Sequence, residues 1–225
     1  YDMADARHVP LQPEGLRDPA CFHDPSTDGD DVRGRLFGFL DDWRTEREDV
    51  AAALVRSLKY WLAATDADGF RYDAVRHVEP EFWRRCTGEL RRYAAAIGKA
   101  GFRQYGEHSS HIAEVVERSR AGSGFDGMID YPLYYPMRDA MGGDVAAFGR
   151  LAARLAAKDD AAGRDLAFVE NHDSDRMRGR LAESAGDAAP AAALAWTALL
   201  FLGPDAPTVA QGQEQEFRGR LVNWR

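Results

Sequence analysis

Asp68-Gly69-Phe70-Arg71-Tyr72-Asp73-Ala74-Val75-Arg76-His77-Val78 decides the fold. The stretch reads as a short buried strand, Phe70 to Val75, that opens after a turn at Asp66 to Gly69. Side chains alternate along a strand, so Arg71 and Asp73 share one face while Phe70 and Tyr72 share the other. An arginine two residues from an aspartate on one face favours the ionised carboxylate. A carboxylate held ionised in a pocket is a nucleophile. The plainer reading is a buried Arg–Asp pair that only fixes the strand.

Upstream, Val50, Leu54, Leu58, Trp61 and Leu62 recur at helical spacing and predict a helix from about 46 to 64, with Thr45 and Glu48 as a capping box. Downstream the alternation repeats. Pro80 suits a first helical turn, Trp83, Leu90, Tyr93 and Ile97 mark a buried face, and Gly101 stands where that helix would end. Strands are expected at Phe102 to Tyr105, Gly127 to Tyr131, Leu166 to Val169 and Ala206 to Ala210. Helices are expected at Ile112 to Arg120, along the stripe Val145, Phe148, Leu151 and Leu155, and at Ala191 to Leu202. Five strands separated by helices argue for parallel βαβ units, either a doubly wound sheet or a (β/α) barrel. No Gly-rich phosphate loop follows a strand, so the nucleotide-binding versions lose support.

Composition fits a globular chain with a core: 225 residues, 45% hydrophobic and 29% charged. With 29 Lys and Arg against 37 Asp and Glu, for a formal charge of -8, no basic footprint for nucleic acid is expected. No segment reads as long enough to cross a membrane. Cys21 and Cys86 are too few for a disulfide framework or a zinc site. Residues 1 to about 45, rich in Asp, Gly and Pro, read as a looped lead-in to a body over 46–225. The ends, Tyr1-Asp2-Met3 and Asn223-Trp224-Arg225, suggest a portion of a longer protein.

Asp73, Glu107 and Asp173 are each read as ending a strand. In a parallel barrel such ends converge, and barrel enzymes place their chemistry there. Three acids together raise the cost of ionising each, so one is held neutral while another stays charged, the division that glycoside hydrolysis uses. Singly, strand-end carboxylates also cap helices or pair with arginine.

These motifs resemble the α-amylase family, the family-13 glycoside hydrolases, over about Leu36 to Gln215. Gly69-Phe70-Arg71-Tyr72-Asp73-Ala74-Val75-Arg76-His77 is similar to the family's fourth-strand motif, Tyr105-Gly106-Glu107 to the fifth, and Phe168-Val169-Glu170-Asn171-His172-Asp173 to the seventh. Phe125 to Pro132 resembles the sixth strand, Pro207 to Glu214 the eighth, and Asp41 to Glu46 the lead-in to the third helix. The resemblance implies a (β/α)8 barrel, of which this chain holds the portion from the third helix to the eighth strand. The lead-in would then be the end of the insertion after the third strand.

By the same resemblance the substrate is an α-glucan or maltooligosaccharide and the mechanism is retaining. Asp73 is the expected nucleophile, Glu107 the acid and base, and Asp173 and His172 the holders of the sugar's hydroxyls. Arg71 is expected to orient Asp73, with Arg76 and His77 on the acceptor side. No cofactor is implied for the chemistry; a structural calcium touches the carbonyl at the position of His77 in several relatives. The third-strand Asp, Asn and His motif is absent, and His108-Ser109-Ser110-His111 follows Glu107 where an apolar or acidic residue is expected. Two rivals stand beside this reading: a metal-dependent barrel hydrolase using His108, His111, His172 and Asp173, and a non-catalytic, amylase-like binding subunit.

Overall fold

The computed structural model describes residues 14–24, 32–34, 40–158 and 165–219. Much of the lead-in therefore lies outside the described residues. The chain divides into two compact units, 1–108 with 118–125, and 109–117 with 126–225.

In the first unit, α1 (Glu48–Thr65), β1 (Gly69–Tyr72), α2 (Pro80–Ala96) and β2 (Arg103–Gly106) follow in βα order. The strands β1 and β2 are parallel, pairing Gly69 with Arg103, Arg71 with Tyr105 and Tyr72 with Gly106. Gly69 is required by this pairing. A Cβ there would stand 2.6 Å from the carbonyl oxygen of Arg103, on backbone that cannot yield. Gly69→Ala is expected to lower stability by roughly 1–3 kcal/mol, read by thermal melting.

The two helices pack on each other, and Trp83 of α2 joins Tyr72 and Phe125 in an aromatic core whose ring centroids lie 5.3–5.5 Å apart. A buried polar chain runs through it. Tyr72 Oη donates to Gln104 Oε1 (2.8 Å), and Gln104 Nε2 donates to the Thr87 carbonyl (2.9 Å). Thr87 Oγ1 in turn donates to the Ser123 carbonyl (3.0 Å). Burial pushes the Cys86 thiol up to about 12, and both cysteines are free and buried.

The expected capping box does not form. The residue before α1 is Arg47, without a side-chain cap. Thr45 instead donates to Glu79 Oε2 (2.7 Å), and Glu48 pairs with Arg85. Each has found a partner distant in sequence, which local spacing does not reveal. Trp61, assigned to the buried stripe, is 54% exposed. α2 ends before Gly101, with Gly98 in the left-handed conformation (φ 87°) that terminates helices.

α3 (Ala113–Ser123) is shared between the units. The second unit holds β3 (Gly127–Met128), α4 (Tyr131–Met141), α5 (Val145–Ala156), β4 (Leu166–Ala167), α6 (Met177–Ala185), α7 (Ala189–Leu202) and β5 (Ala206–Pro207). Strands β4 and β5 are parallel, and Ile129 forms a parallel bridge to Leu166. The core gathers Leu133, Met137, Leu151, Val169, Leu181 and Trp196.

The strand expected from Gly127 to Tyr131 gives way to α4 because Asp130 caps it, Oδ1 accepting from Leu133 N (3.0 Å). Pro132 falls in the first turn, where no amide donor is needed. Val145 and Phe148, read as part of the α5 core face, are exposed. The run Met177–Leu202 does reach the length and apolarity of a membrane span, contrary to the sequence reading. It is bent at Gly186 (φ 50°) into α6 and α7, which pack against each other.

Candidate active site

β1 stops at Tyr72, shorter than expected, because Ala74 takes a left-handed conformation (φ 50°) and a 3-10 turn, Val75–His77, follows. Non-glycine residues pay for positive φ, so this bend is held by its surroundings. Two hydrogen bonds hold it. Glu107 N donates to the Tyr72 carbonyl (2.9 Å), and Val75 N donates to the Glu107 carbonyl (3.0 Å). The backbone of Glu107 thus spans the bend that carries Asp73.

The side chains meet as the backbone dictates. The Arg71 guanidinium contacts the Asp73 carboxylate through Nη1 and the Glu107 carboxylate through Nη2 (2.6 Å). The sequence reading paired Arg71 with Asp73 alone; the β1–β2 register adds Glu107. The two acids differ in setting, with side-chain exposures of 68% for Asp73 and 9% for Glu107. One carboxylate is open to an approaching ligand and the other lies against the strand edge. Arg76 and His77 sit half-buried on the 3-10 turn next to this pair.

In the second unit Asp173 does not end β4 but lies in the turn beyond it. The backbone curls at residues 172 and 173, as their adjacency requires. Asn171 Oδ1 accepts from Asp173 N (3.1 Å), a side chain replacing a backbone turn. Asn171 Nδ2 donates to Tyr131 Oη (3.1 Å), and Asn171 N donates to Ser174 Oγ (2.8 Å). His172 Nε2 stands 3.3 Å from Asp173 Oδ2. Asn171 was missed as an organiser of the site, although an Asn two residues before a polar turn residue is a readable signal.

The rival metal set finds other engagements. His108 Nδ1 is 2.7 Å from Ser119 Oγ, and the His111 ring packs edge-on to Tyr135. Among the described residues, the groups with metal-ligand spacing are His23, Glu46 and Glu79, and Asp130, Asp165 and Asp205. His23 is already 2.6 Å from Asp42 and 3.1 Å from Glu46, and Arg33 donates to Glu79 (3.0 Å). An imidazole and a neighbouring guanidinium suit calcium poorly, since that ion takes oxygen ligands. In the second group the Lys158 ammonium already lies against all three carboxylates.

Parallel βα units with an acid just past β1 and another just past β2 define a protein of the parallel β/α class that carries its polar groups at strand ends. The sequence model described as alpha amylase, catalytic domain, matches residues 34–225, and the chain belongs to that family. An α-amylase of Streptomyces lividans is 33% identical over 224 residues, covering 92% of this chain and 24% of that protein. The α-amylase of Geobacillus thermoleovorans, solved in complex with acarbose, superposes with a TM-score of 0.77 at 26% identity, over 97% of this chain and 52% of that one. An α-amylase of Anoxybacillus gives a TM-score of 0.77 at 24% identity, over 93% of this chain and 49% of that one. The chain thus spans about a quarter of the Streptomyces protein and about half of each solved one. Its fold is that of part of a (β/α)8 barrel.

Proposed function

We propose that the protein carrying this chain is a retaining glycoside hydrolase or transglycosidase acting on α-linked glucose chains. The observation that carries the reading is the Arg71 guanidinium shared between the Asp73 and Glu107 carboxylates on adjacent strand ends. Family membership and the acarbose complex of a solved relative support the substrate class.

In the first displacement, an Asp73 carboxylate oxygen attacks the anomeric carbon. The glycosidic C–O bond breaks, the departing oxygen takes the proton of Glu107, and a covalent β-glucosyl ester remains on Asp73. In the second, Glu107 takes a proton from water or an acceptor hydroxyl, whose oxygen attacks the same carbon and frees Asp73. The exposures fit this division: the nucleophile is open to the sugar, and the proton carrier is enclosed. Arg71 holds both in register. Asp173 and His172 take hydroxyls of the sugar undergoing cleavage, and Arg76 and His77 face the acceptor. Asp73 serves as the nucleophile and Glu107 carries the proton in both displacements, so the proposed chemistry calls on no cofactor.

Two experiments test these roles. A fluorinated α-glucosyl fluoride, which forms the ester faster than it is hydrolysed, is expected to label the peptide containing Asp73 by mass spectrometry. Labelling elsewhere, or none during inactivation, overturns the assignment. Glu107→Gln is expected to lower kcat/KM on maltoheptaose by about 10²–10⁴-fold. It should cost far less on a glucosyl fluoride, whose leaving group needs no proton. An equal loss on both substrates would remove Glu107 from the acid role.

A further inference from the structure

Beneath the turn that carries His172 and Asp173 lies an ion pair to which the sequence motifs give no task. Glu170 and Arg176 are both buried, and Arg176 Nη1 donates to Glu170 Oε1 (2.7 Å). The other oxygen of Glu170 accepts from Met177 N (2.5 Å), at the first residue of α6. One carboxylate thus ties the end of the strand segment to the start of the following helix, closing the turn 171–175 at its base. Arg176 also reaches forward. Its guanidinium lies 5.9 Å from the centre of the Phe217 ring, and its amide donates to the Gly219 carbonyl (3.2 Å). Arg178 adds a contact from its Nε to Glu216 (2.6 Å).

The loop 211–219 is itself folded tightly around that ring. Phe217 N donates to the Gly212 carbonyl (3.1 Å). Gly212 has φ 81°, and a Cβ there would stand 2.4 Å from the Phe217 ring. The loop is therefore shaped to present Phe217 to Arg176.

A desolvated ion pair is a poor source of stability, because an apolar pair of similar volume does as well or better. What such a pair supplies is a defined geometry. Above it, Asp173 and His172 are partly exposed and held by short-range contacts of Asn171. We propose that Glu170, Arg176 and the Phe217 ring form a brace that fixes the 171–175 turn against the loop 211–219, making these three positioning residues for Asp173 and His172. The proposal rests on the reading of Asp173 as a residue that holds the sugar.

The test uses the protein that carries this chain, assayed on maltoheptaose well below its melting temperature. Glu170→Gln with Arg176→Met removes both charges together, which avoids a lone buried ion. Phe217→Ala removes a half-exposed ring and leaves the pair intact. The double variant is expected to lose roughly 10- to 100-fold in kcat/KM, the scale of a misplaced binding group, with faster amide hydrogen exchange at 171–175. Phe217→Ala is expected to move both quantities the same way by a smaller factor. A role confined to stability would lower the melting temperature and leave both unchanged, which overturns the brace. Should the double variant fail to fold, Phe217→Ala decides alone, and wild-type kcat/KM with wild-type exchange at 171–175 overturns the proposal. Asp173→Asn separates the two readings. If it keeps full turnover, the sugar-holding role fails whatever the brace does. If it is inactive while the brace variants behave as wild type, the brace alone fails.

Discussion

Asp73→Asn in the protein that carries this chain is expected to lower kcat on maltoheptaose by about four orders of magnitude or more, the scale seen when a nucleophile is removed from a covalent mechanism. The fold should be untouched, because the Asp73 side chain is 68% exposed and asparagine keeps its shape. Circular dichroism and melting temperature should match wild type. The amide cannot form the ester and carries no charge for Arg71, which still contacts Glu107. A single-turnover assay separates this from a binding defect: KM should change little while the burst of aglycone disappears. Wild-type turnover in this variant would end the assignment of Asp73.

Lys158→Met is expected to lower stability by about 3–5 kcal/mol at neutral pH, the cost of removing one partner from a buried ion pair. Lys158 Nζ lies 2.6 Å from Asp130 Oδ2 and 3.2 Å from Asp165 Oδ2, and also contacts Asp205. Burial alone would push the Asp130 carboxyl up; Lys158 and Arg154 outweigh it and hold the group below the usual carboxylate range. At Asp205 burial wins and the carboxyl is raised. Burial lowers Lys158, and the attraction of Asp130 and Asp205 more than reverses that, so its ammonium is held above the ordinary lysine value.

The signs then follow. The depressed Asp130 contributes stability above its unfolded pKa, and this is lost as pH falls through the folded value. The raised Lys158 contributes at every pH below its unfolded pKa and loses that only as pH rises through its folded value. Asp205, already raised, resists ionisation in the native state. Without Lys158, Asp205 should bind its proton still more tightly when folded than unfolded, while Asp130 keeps the Arg154 guanidinium. Lys158→Met should therefore recover part of its stability between pH 7 and pH 5, and Lys158→Met with Asp205→Asn should be more stable than Lys158→Met at pH 7. Denaturant melts at the two pH values measure this. A deficit independent of pH would show that the lysine's carbon stem, not its charge, holds the site.

How much was readable from the chain depends on how local each feature is. α1 and α2 follow from apolar residues at helical spacing, and the parallel βα order follows from their alternation with short strands. α4 was hidden because Gly127 to Tyr131 reads as a strand ended by Pro132, although Asp130 two residues before Pro132 is a helix-start pattern. α6 was hidden because Met177 to Ala185 has few apolar residues, and its burial comes from packing on α7. Thr45 and Glu48 looked like a cap because the pattern was local and correct, yet each was claimed by a partner more than thirty residues away.

By itself the sequence determined that Arg71 and Asp73 share a strand face, that Glu107 follows the next strand, and that Asp173 sits in an Asn-His-Asp turn. Backbone periodicity and turn chemistry act over a few residues, so they are written in neighbouring letters. Only the tertiary structure decided that Arg71 serves Glu107 as well as Asp73, because that contact is set by the pairing of Arg71 with Tyr105 across β1 and β2. It alone placed Lys158 among three acids and Arg176 between Glu170 and Phe217. Those meetings depend on strand register and burial. Both are fixed by closing long stretches of chain, and spacing along the sequence does not encode which residues such closures bring together.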